Sequence, residues 1–166
     1  GPDGETPDVE EISGLEMLST QAGARIGMLR SMSRTQLQAT TDGLTGMLNR
    51  RTFETRVRAM HRDGSPFTLV MADLDHFKHL NDTFGHEAGD RALRLFAEVM
   101  KSATRTEDIV GRFGGEEFLI ALPRSTTAQA VDMADRLRVV LAGRLAGGDA
   151  PVFTASFGVA ESTCAD

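Results

Sequence analysis

Gly114-Gly115-Glu116-Glu117-Phe118 is the stretch that decides the fold. Residues 109–113, just before it, alternate in side-chain character, and an apolar run over residues 118–122 follows. Alternation on both sides of a Gly-Gly turn is typical of a β-hairpin. The sequence therefore predicts two antiparallel strands that are joined at these glycines.

The tip of this hairpin carries more than a turn needs. Two adjacent carboxylates, Glu116 and Glu117, stand beside the two glycines. Glycines let the backbone approach a ligand and offer bare N–H groups to phosphate, while a carboxylate can hold a divalent cation such as Mg²⁺. The motif alone fits either a solvated acidic turn or a metal–phosphate site.

A second acidic stretch favours the metal–phosphate interpretation. The apolar run Val70-Met71-Ala72 leads into Asp73-Leu74-Asp75, so a predicted strand ends in two carboxylates at alternate positions. If that strand delivers Asp73 to the same end of the sheet as the hairpin tip, Asp73 and Glu116 form a pair of ligands for Mg²⁺.

The composition is that of an acidic globular protein. The chain has 166 residues, of which 40% are hydrophobic and 25% charged, and its net charge is −6. This length suffices for one domain with a sizeable core and an appendage. The negative charge argues against non-specific binding to nucleic acid, which needs a basic face.

Three absences from the sequence bear on location. No run of about 18 or more apolar residues is present, so we expect no membrane span. No signal peptide is recognisable, and the single cysteine, Cys164, cannot form an internal disulfide. Together these features predict a cytoplasmic protein.

The sequence divides into three predicted segments. Residues 1–11 are acidic, with two prolines and two glycines, and are predicted to be flexible. Residues 12–40 place apolar side chains at heptad a and d positions, interrupted by Arg25 and Gln36, which indicates a helix with a weak coiled-coil seam. A helix packed on the globular body and the last helix of an upstream domain are the alternatives. Residues 41–166 form the predicted globular domain.

Within that domain, helices and strands alternate. Helices are predicted at about residues 49–62, 76–84, 87–103 and 126–142, and strands at about 67–74 and 153–159, besides the hairpin. Phe77 and Phe84 are expected to pack in the core, and Val140 or Leu141 to face inward. The order strand, two helices, hairpin, helix, strand predicts an α/β fold.

Four stretches together resemble the GGDEF family of diguanylate cyclases. They are residues 42–50, residues 73–90 with Asn81-Asp82, Gly85-His86 and Gly89-Asp90, residues 111–118, and residues 156–159. They occur in the family's order and cover about residues 40–160. The resemblance implies a central, mainly antiparallel sheet flanked by helices, related to polymerase palms and adenylyl cyclase cores.

The resemblance also implies a reaction and a set of metal ligands. The family joins two GTP molecules into cyclic di-GMP and releases two pyrophosphates, with Mg²⁺ or Mn²⁺ as the metal. The corresponding ligands are the carboxylates of Asp73 and Glu116 and the backbone carbonyl of Leu74. Glu117 is a candidate for activating the attacking hydroxyl.

Further residues correspond to the family's substrate contacts. The triphosphate is expected to meet the backbone of His76 and Phe77, and Lys78. Asn81 and Asp90 correspond to the residues that recognise guanine; a carboxylate can accept hydrogen bonds from guanine N1–H and N2–H₂, which adenine does not offer. Gly114 and Gly115 are expected to let the backbone approach the phosphates.

Arg105, Asp108 and Arg136 correspond to the family's inhibitory product site. An Arg-x-x-Asp pair by itself is often only a surface ion pair. At its spacing from Gly114, however, it matches the site at which family members bind cyclic di-GMP and are inhibited by it.

The resemblance favours a homodimer that responds to an upstream sensor. The product is two-fold symmetric and one domain holds one GTP, so two chains are needed, and the helix over residues 12–40 is expected to bring them together. Family domains usually continue past residues 156–159 with another helix, so we expect the C-terminal part of the domain to be missing. A non-catalytic module that binds cyclic di-GMP is the alternative function.

Overall fold

Five strands form one sheet in the order β1-β3-β4-β2-β5 in the computed structural model, which describes residues 40–148 and 150–162. The strands are β1 (Leu48–Asn49), β2 (Phe67–Leu74), β3 (Ile109–Arg112), β4 (Glu117–Pro123) and β5 (Ala155–Glu161). All neighbouring strands are antiparallel except β1 and β3, which are parallel. The predicted mainly antiparallel sheet and its hairpin are therefore confirmed.

Four helices flank the sheet in the described part of the chain: α1 (Arg50–Arg62), α2 (Phe77–Phe84), α3 (His86–Ala103) and α4 (Thr127–Leu145). Asn49 caps α1 by accepting a hydrogen bond from the Thr52 N–H. Thr126 and Gln129 form a reciprocal capping box at the start of α4. These polar caps fix where the two helices begin.

The two faces of the sheet are covered by different helices. Val70, Ala72 and Leu74 of β2 point into the larger core, which includes the buried face of α3 with Phe96. The Phe96 ring meets Phe118 of β4 edge-on, with ring centroids 5.2 Å apart. On the other face, Phe53 of α1 packs with Phe67 and Ala121. The period-2 alternation of β2 thus separates the two cores.

Some local predictions were wrong. Phe84 is 61% exposed, because it is the last residue of α2 and lies beyond the face that packs. Helix α4 continues to Leu145 instead of ending near Ala142. Of the two residues predicted as alternatives to face inward, Leu141 is buried and Val140 is exposed. Strand β1 was not predicted, because two residues are too short to show alternation.

Several predictions concern residues that the structure does not describe. The predicted flexible segment over residues 1–11 and the predicted helix over residues 12–40, apart from Thr40, lie outside the described residues, as do residues 163–166. Among the helices that are described, none has the length and apolar character needed to cross a membrane.

Candidate functional site

Carboxylates from two neighbouring strands meet at one edge of the sheet. In the antiparallel register of β2 and β4, Asp73 lies directly opposite Glu117. The Leu74 N–H donates a hydrogen bond to the Glu116 carbonyl oxygen at 3.3 Å. The register therefore brings together Asp73, the Leu74 backbone, Glu116 and Glu117, which the sequence had placed in two separate stretches.

This meeting of like charges is unfavourable without a cation. Like charges directly opposite each other on paired strands destabilise a sheet. None of the ion pairs found within the described residues involves Asp73, Glu116 or Glu117. A divalent cation at this edge would offset the repulsion, and oxygen ligands suit a hard cation such as Mg²⁺.

The donor set also limits how a metal could be held. Across residues 40–148 and 150–162, no three His, Cys, Asp or Glu side chains are grouped closely enough to bind a metal by themselves. A cation here would need further ligands from the backbone and from a bound phosphate. That arrangement fits Mg²⁺, which is usually held by one or two carboxylates together with substrate phosphates.

The turn between β3 and β4 is built around Glu117. The N–H groups of Phe113 and Gly114 both donate to the Glu117 carbonyl oxygen, at 2.8 and 3.2 Å. A Cβ on Gly114 would lie 2.3 Å from Glu117 Oε2, so a side chain at this position would displace the carboxylate from where it lies. Gly115 is exposed, and no atom lies within 4 Å of where its Cβ would be.

The guanidinium group of Arg112 stabilises this turn by hydrogen bonds. Its Nη2 donates to the Gly115 carbonyl oxygen at 2.7 Å, and its Nε lies 3.2 Å from the carbonyl oxygens of both Gly114 and Gly115. Its Nη1 binds both carboxylate oxygens of Asp42, at 3.1 and 3.3 Å. The guanidinium thus joins the glycine turn to a segment that lies 70 residues earlier in the chain.

Asp42 is itself fixed by the turn that follows it. The backbone N–H and the hydroxyl of Thr45 donate to Asp42 Oδ1 at 2.9 and 2.7 Å. Lys101 of α3 donates to the Thr45 carbonyl oxygen at 2.9 Å. Burial alone would raise the pKa of Asp42, but the hydrogen bonds from Thr45 and Arg112 outweigh it and lower that pKa.

No role was predicted from the sequence for the hydrogen bonds that join Asp42, Thr45, Lys101 and Arg112, which together we call the Asp42 clamp. Asp42 and Arg112 both belong to the stretches that carry the family resemblance, so a signal was present. Their pairing depends on the parallel contact of β1 with β3, which the sequence did not predict. The role of Lys101 had no sequence signal, because lysine in the last turn of a helix is common.

Asp75 ties the end of β2 to β5. Its carboxylate accepts hydrogen bonds from the hydroxyls of Ser156 at 2.6 Å and Thr154 at 2.5 Å, and these bonds lower its pKa. Its N–H donates to the Thr154 carbonyl oxygen at 2.9 Å. All three contacts give Asp75 a structural role.

The backbone changes direction sharply at His76, just before α2. His76 has a φ of 56°, a left-handed conformation that is uncommon for residues other than glycine. No side-chain hydrogen bond caps the N-terminus of α2, where the backbone N–H groups of Phe77 and Lys78 lie. Lys78 is exposed. An uncapped helix N-terminus beside a lysine suits an anionic group.

Asn81 and Asp90 lie on consecutive helices that only Gly85 separates. Asn81 packs against Gly89, the residue that precedes Asp90 in α3. The nearest cation to Asp90 is Arg94, 3.9 Å away with both side chains half exposed, so this contact is weak. The helix pair therefore brings the two predicted guanine-binding residues into one region and leaves the Asp90 carboxylate accessible.

Arg105, Asp108 and Arg136 line a single cavity of about 110 Å³. The Arg105 N–H donates to Asp108 Oδ2 at 2.7 Å. Burial raises the pKa of Asp108 and outweighs that hydrogen bond, with the neighbouring Glu107 adding to the effect. The cavity lies at the start of β3, and the glycine turn lies at the end of the same strand.

Comparisons with known proteins place the chain in a family. The sequence model described as "Diguanylate cyclase, GGDEF domain" matches residues 39–165. The diguanylate cyclase DgcP of Pseudomonas aeruginosa is 41% identical over 109 residues, which are 63% of this chain and 16% of DgcP. The response regulator PleD of Caulobacter vibrioides is 36% identical over 141 residues, which are 82% of this chain and 31% of PleD.

A solved structure agrees with these matches. The coiled coil and GGDEF domain of DgcB from Caulobacter crescentus, in complex with c-di-GMP, superposes with a TM-score of 0.75 at 29% identity. The match covers 90% of this chain and 83% of that one. The chain belongs to the GGDEF diguanylate cyclase family, whose cyclases are metal-dependent. It spans less than a third of the length of the two curated relatives.

The Asp42 clamp gives a prediction about pH. Because the folded state lowers the pKa of Asp42, its charge stabilises the fold above about pH 4, and this stabilisation is lost as the pH falls through the lowered value. Asp42→Asn should therefore reduce the free energy of unfolding by about 1 kcal/mol at pH 7. The difference from wild type should shrink at about pH 3.

Urea unfolding at both pH values measures this effect. Asp63→Asn is the matched control, since Asp63 is an exposed carboxylate at the end of α1 and should change the unfolding free energy little. A loss of equal size at pH 7 and pH 3 would contradict the role assigned to the Asp42 charge.

Proposed function

We propose that this domain condenses two GTP molecules into cyclic di-GMP with release of two pyrophosphates. The observation that carries the proposal is the register that sets Asp73 opposite Glu117 beside an open glycine turn, in a chain of the GGDEF family. Opposed carboxylates without a basic partner call for a cation, and an exposed glycine turn suits a phosphate chain.

Each bond-forming step is a phosphoryl transfer in line. The 3′-hydroxyl oxygen of one GTP bonds to the α-phosphorus of the other, and the bond from that phosphorus to the bridging oxygen breaks, so pyrophosphate leaves. A Mg²⁺ or Mn²⁺ ion, when bound, polarises the hydroxyl and neutralises charge on the leaving group. Asp73, Glu116 and the Leu74 carbonyl are the proposed ligands.

Glu117 is the proposed acceptor of the hydroxyl proton. Its carboxylate lies against Gly114, in the turn that would face the α-phosphate. The hydrogen bonds from Phe113 and Gly114 to its backbone carbonyl hold the residue in place. A carboxylate so fixed can accept a proton as the hydroxyl attacks.

Two neighbouring regions would bind the rest of GTP. The backbone at His76 and Phe77, with Lys78, supplies donors and positive charge for the triphosphate, and Gly114 and Gly115 leave space beside it. Asn81 and Asp90 would bind the guanine edge. The accessible Asp90 carboxylate favours guanine over adenine, because only guanine offers N–H groups at both N1 and N2.

Removing one carboxylate tests the metal assignment. Asp73→Asn or Glu116→Gln should lower cyclic di-GMP formation from GTP and Mg²⁺ by at least about a hundredfold, since each removes one charge from the cation site. The protein should still fold, because the substitution also removes a repulsion at the sheet edge.

Product formation is followed by chromatography, with unfolding curves as the check on folding. Asp63→Asn provides the matched control, since it removes a carboxylate far from the glycine turn. Either site variant keeping most of the wild-type rate would contradict the assignment of that ligand.

We further propose that the cavity of Arg105, Asp108 and Arg136 binds cyclic di-GMP and inhibits the reaction. Two exposed arginines suit phosphates, and Asp108 can accept hydrogen bonds from guanine. Strand β3 joins the cavity directly to the glycine turn and gives a physical route between the two sites.

The cavity also supports the alternative function, a regulatory domain that binds cyclic di-GMP without making it. Absence of turnover together with intact product binding would favour that alternative.

Arg105→Ala should weaken cyclic di-GMP binding about tenfold or more and relieve inhibition, because it removes one charged partner of the phosphate. Calorimetry measures the affinity, and rates at increasing product concentration measure the inhibition. Arg91→Ala is the control: Arg91 is exposed on α3 and lies about 18 Å along the helix from the cavity. Unchanged product affinity in Arg105→Ala would remove this cavity from the proposal.

The proposed reaction needs two copies of the domain. One domain has a single set of metal and guanine residues, and a two-fold symmetric product needs two GTP molecules facing each other. The facing turns each carry Glu116 and Glu117, so they should repel until metal and GTP are bound. We propose a cytoplasmic homodimer whose contact is transient and is promoted by the segment before residue 40 and by an upstream sensor.

The rate per chain should therefore rise with protein concentration in a version that begins at Thr40, and depend less on concentration in the longer chain. Residues from Thr40 onward form one compact unit, so this version is expected to fold. Initial rates over a hundredfold range of concentration, with light scattering to determine mass, measure the effect. A constant rate per chain in confirmed monomer would contradict catalysis by a dimer.

A further inference from the structure

The carboxamide of Asn81 fills the space that a side chain at position 89 would need. A Cβ built on Gly89 would lie 1.9 Å from Asn81 Oδ1 and 2.9 Å from its Cγ. It would also lie 3.2 Å from Cζ of Phe77. Real Cβ atoms essentially never lie closer than 3.0 Å to another heavy atom, so any residue other than glycine must displace the Asn81 side chain.

Two features at this position work against stability. Gly89 lies inside the long helix α3, where glycine is less favourable than alanine. Asn81 Oδ1 is buried and has no hydrogen-bond partner within the described residues, and such an acceptor also destabilises a fold. Stability alone would favour an alanine at 89 and an apolar side chain at 81, which points to a role for the pair in binding.

We infer that Gly89 is a specificity-determining position, because it sets where the Asn81 carboxamide stands relative to the base of a bound nucleotide. The inference rests on the proposed function, in which Asn81 and Asp90 bind the guanine of GTP. Gly89 directly precedes Asp90, so one turn of α3 carries one guanine-binding residue and supports the other. Gly89 does not touch the base and acts through Asn81.

A methyl group at position 89 would occupy the space that now holds the carboxamide oxygen. The Phe77 ring closes one side of the space at Gly89, and Phe77 is itself buried in the larger core. The side chain of Asn81 would have to turn away from α3 and lose its contact with the base. The triphosphate would keep its proposed contacts, because these come from the backbone of His76 and Phe77, from Lys78 and from the glycine turn, whereas the added methyl group approaches only the tip of the Phe77 ring.

Nucleotide affinities of the full chain test the inference. The variants are Gly89→Ala, Asn81→Ala and the double variant, and the dissociation constants of GTP and ATP are measured with Mg²⁺ by calorimetry and competition. We expect GTP to bind about tenfold more weakly in all three variants, with ATP affinity unchanged. The double variant should bind GTP no more weakly than either single variant, because both changes remove the same contact.

Gly143→Ala is the matched control, since Gly143 is a helical glycine in α4 with no atom within 4 Å of its Cβ position. It should leave both affinities unchanged. The double variant also serves as a control for misfolding, because removal of the Asn81 carboxamide removes the atoms closest to the new methyl group. If Gly89→Ala does not fold, folding of the double variant supports the inference and failure of both overturns it.

The outcomes separate this inference from the function on which it rests. If Asn81→Ala binds GTP normally, guanine binding by Asn81 is wrong. If Asn81→Ala weakens GTP binding but Gly89→Ala does not, or if Gly89→Ala weakens GTP and ATP equally, then the role of Gly89 is wrong and the guanine site stands.

Discussion

The guanidinium of Arg112 is the contact on which the rest of the site depends. It binds the carbonyl oxygens of Gly114 and Gly115 on one side and both carboxylate oxygens of Asp42 on the other. A glycine turn has little conformational preference of its own, so its shape must be imposed from outside. Arg112 supplies that constraint with charge-assisted hydrogen bonds, which are stronger and more directional than neutral ones.

This constraint links the turn to three parts of the chain. Asp42 belongs to the first described segment, Lys101 reaches the same segment from the end of α3, and Arg112 ends β3. The cavity at Arg105 lies between Lys101 and the start of β3. A ligand in that cavity would lie on the stretch of chain that joins Lys101 to β3 and so to the same turn. This connection gives a physical basis for the proposed control by product.

The sequence predicted elements with strong local patterns and missed those that depend on distant contacts. The apolar strand β2, the helix α3 and the Gly-Gly hairpin all appear in the structure close to the predicted places. Their patterns are local, since each reflects which face of one element is buried. Strand β1 is defined only by its partner β3, and the Arg112–Asp42 pair joins residues 70 positions apart. Composition and spacing hold no information about such contacts.

The predicted site residues also divide into those with a local sequence pattern and those that depend on distant contacts. The strand pattern and the hairpin together implied that Asp73 and Glu116 would share one edge, and the register brings them there. The packing of Asn81 on Gly89 could not be predicted, because a glycine in a helix has many explanations.

Several locally unfavourable features gather at this one edge of the sheet. Asp73 faces Glu117, His76 adopts a left-handed conformation, Asn81 buries an acceptor that has no partner within the described residues, and Gly89 places a glycine within helix α3. Each is destabilising alone, and the well-packed core around Phe96 and the clamp at Arg112 hold them in place. Unfavourable features that are scattered over a fold need no common explanation. Features gathered within two short segments and one turn share one explanation if this edge is where the proposed metal ion and nucleotide bind.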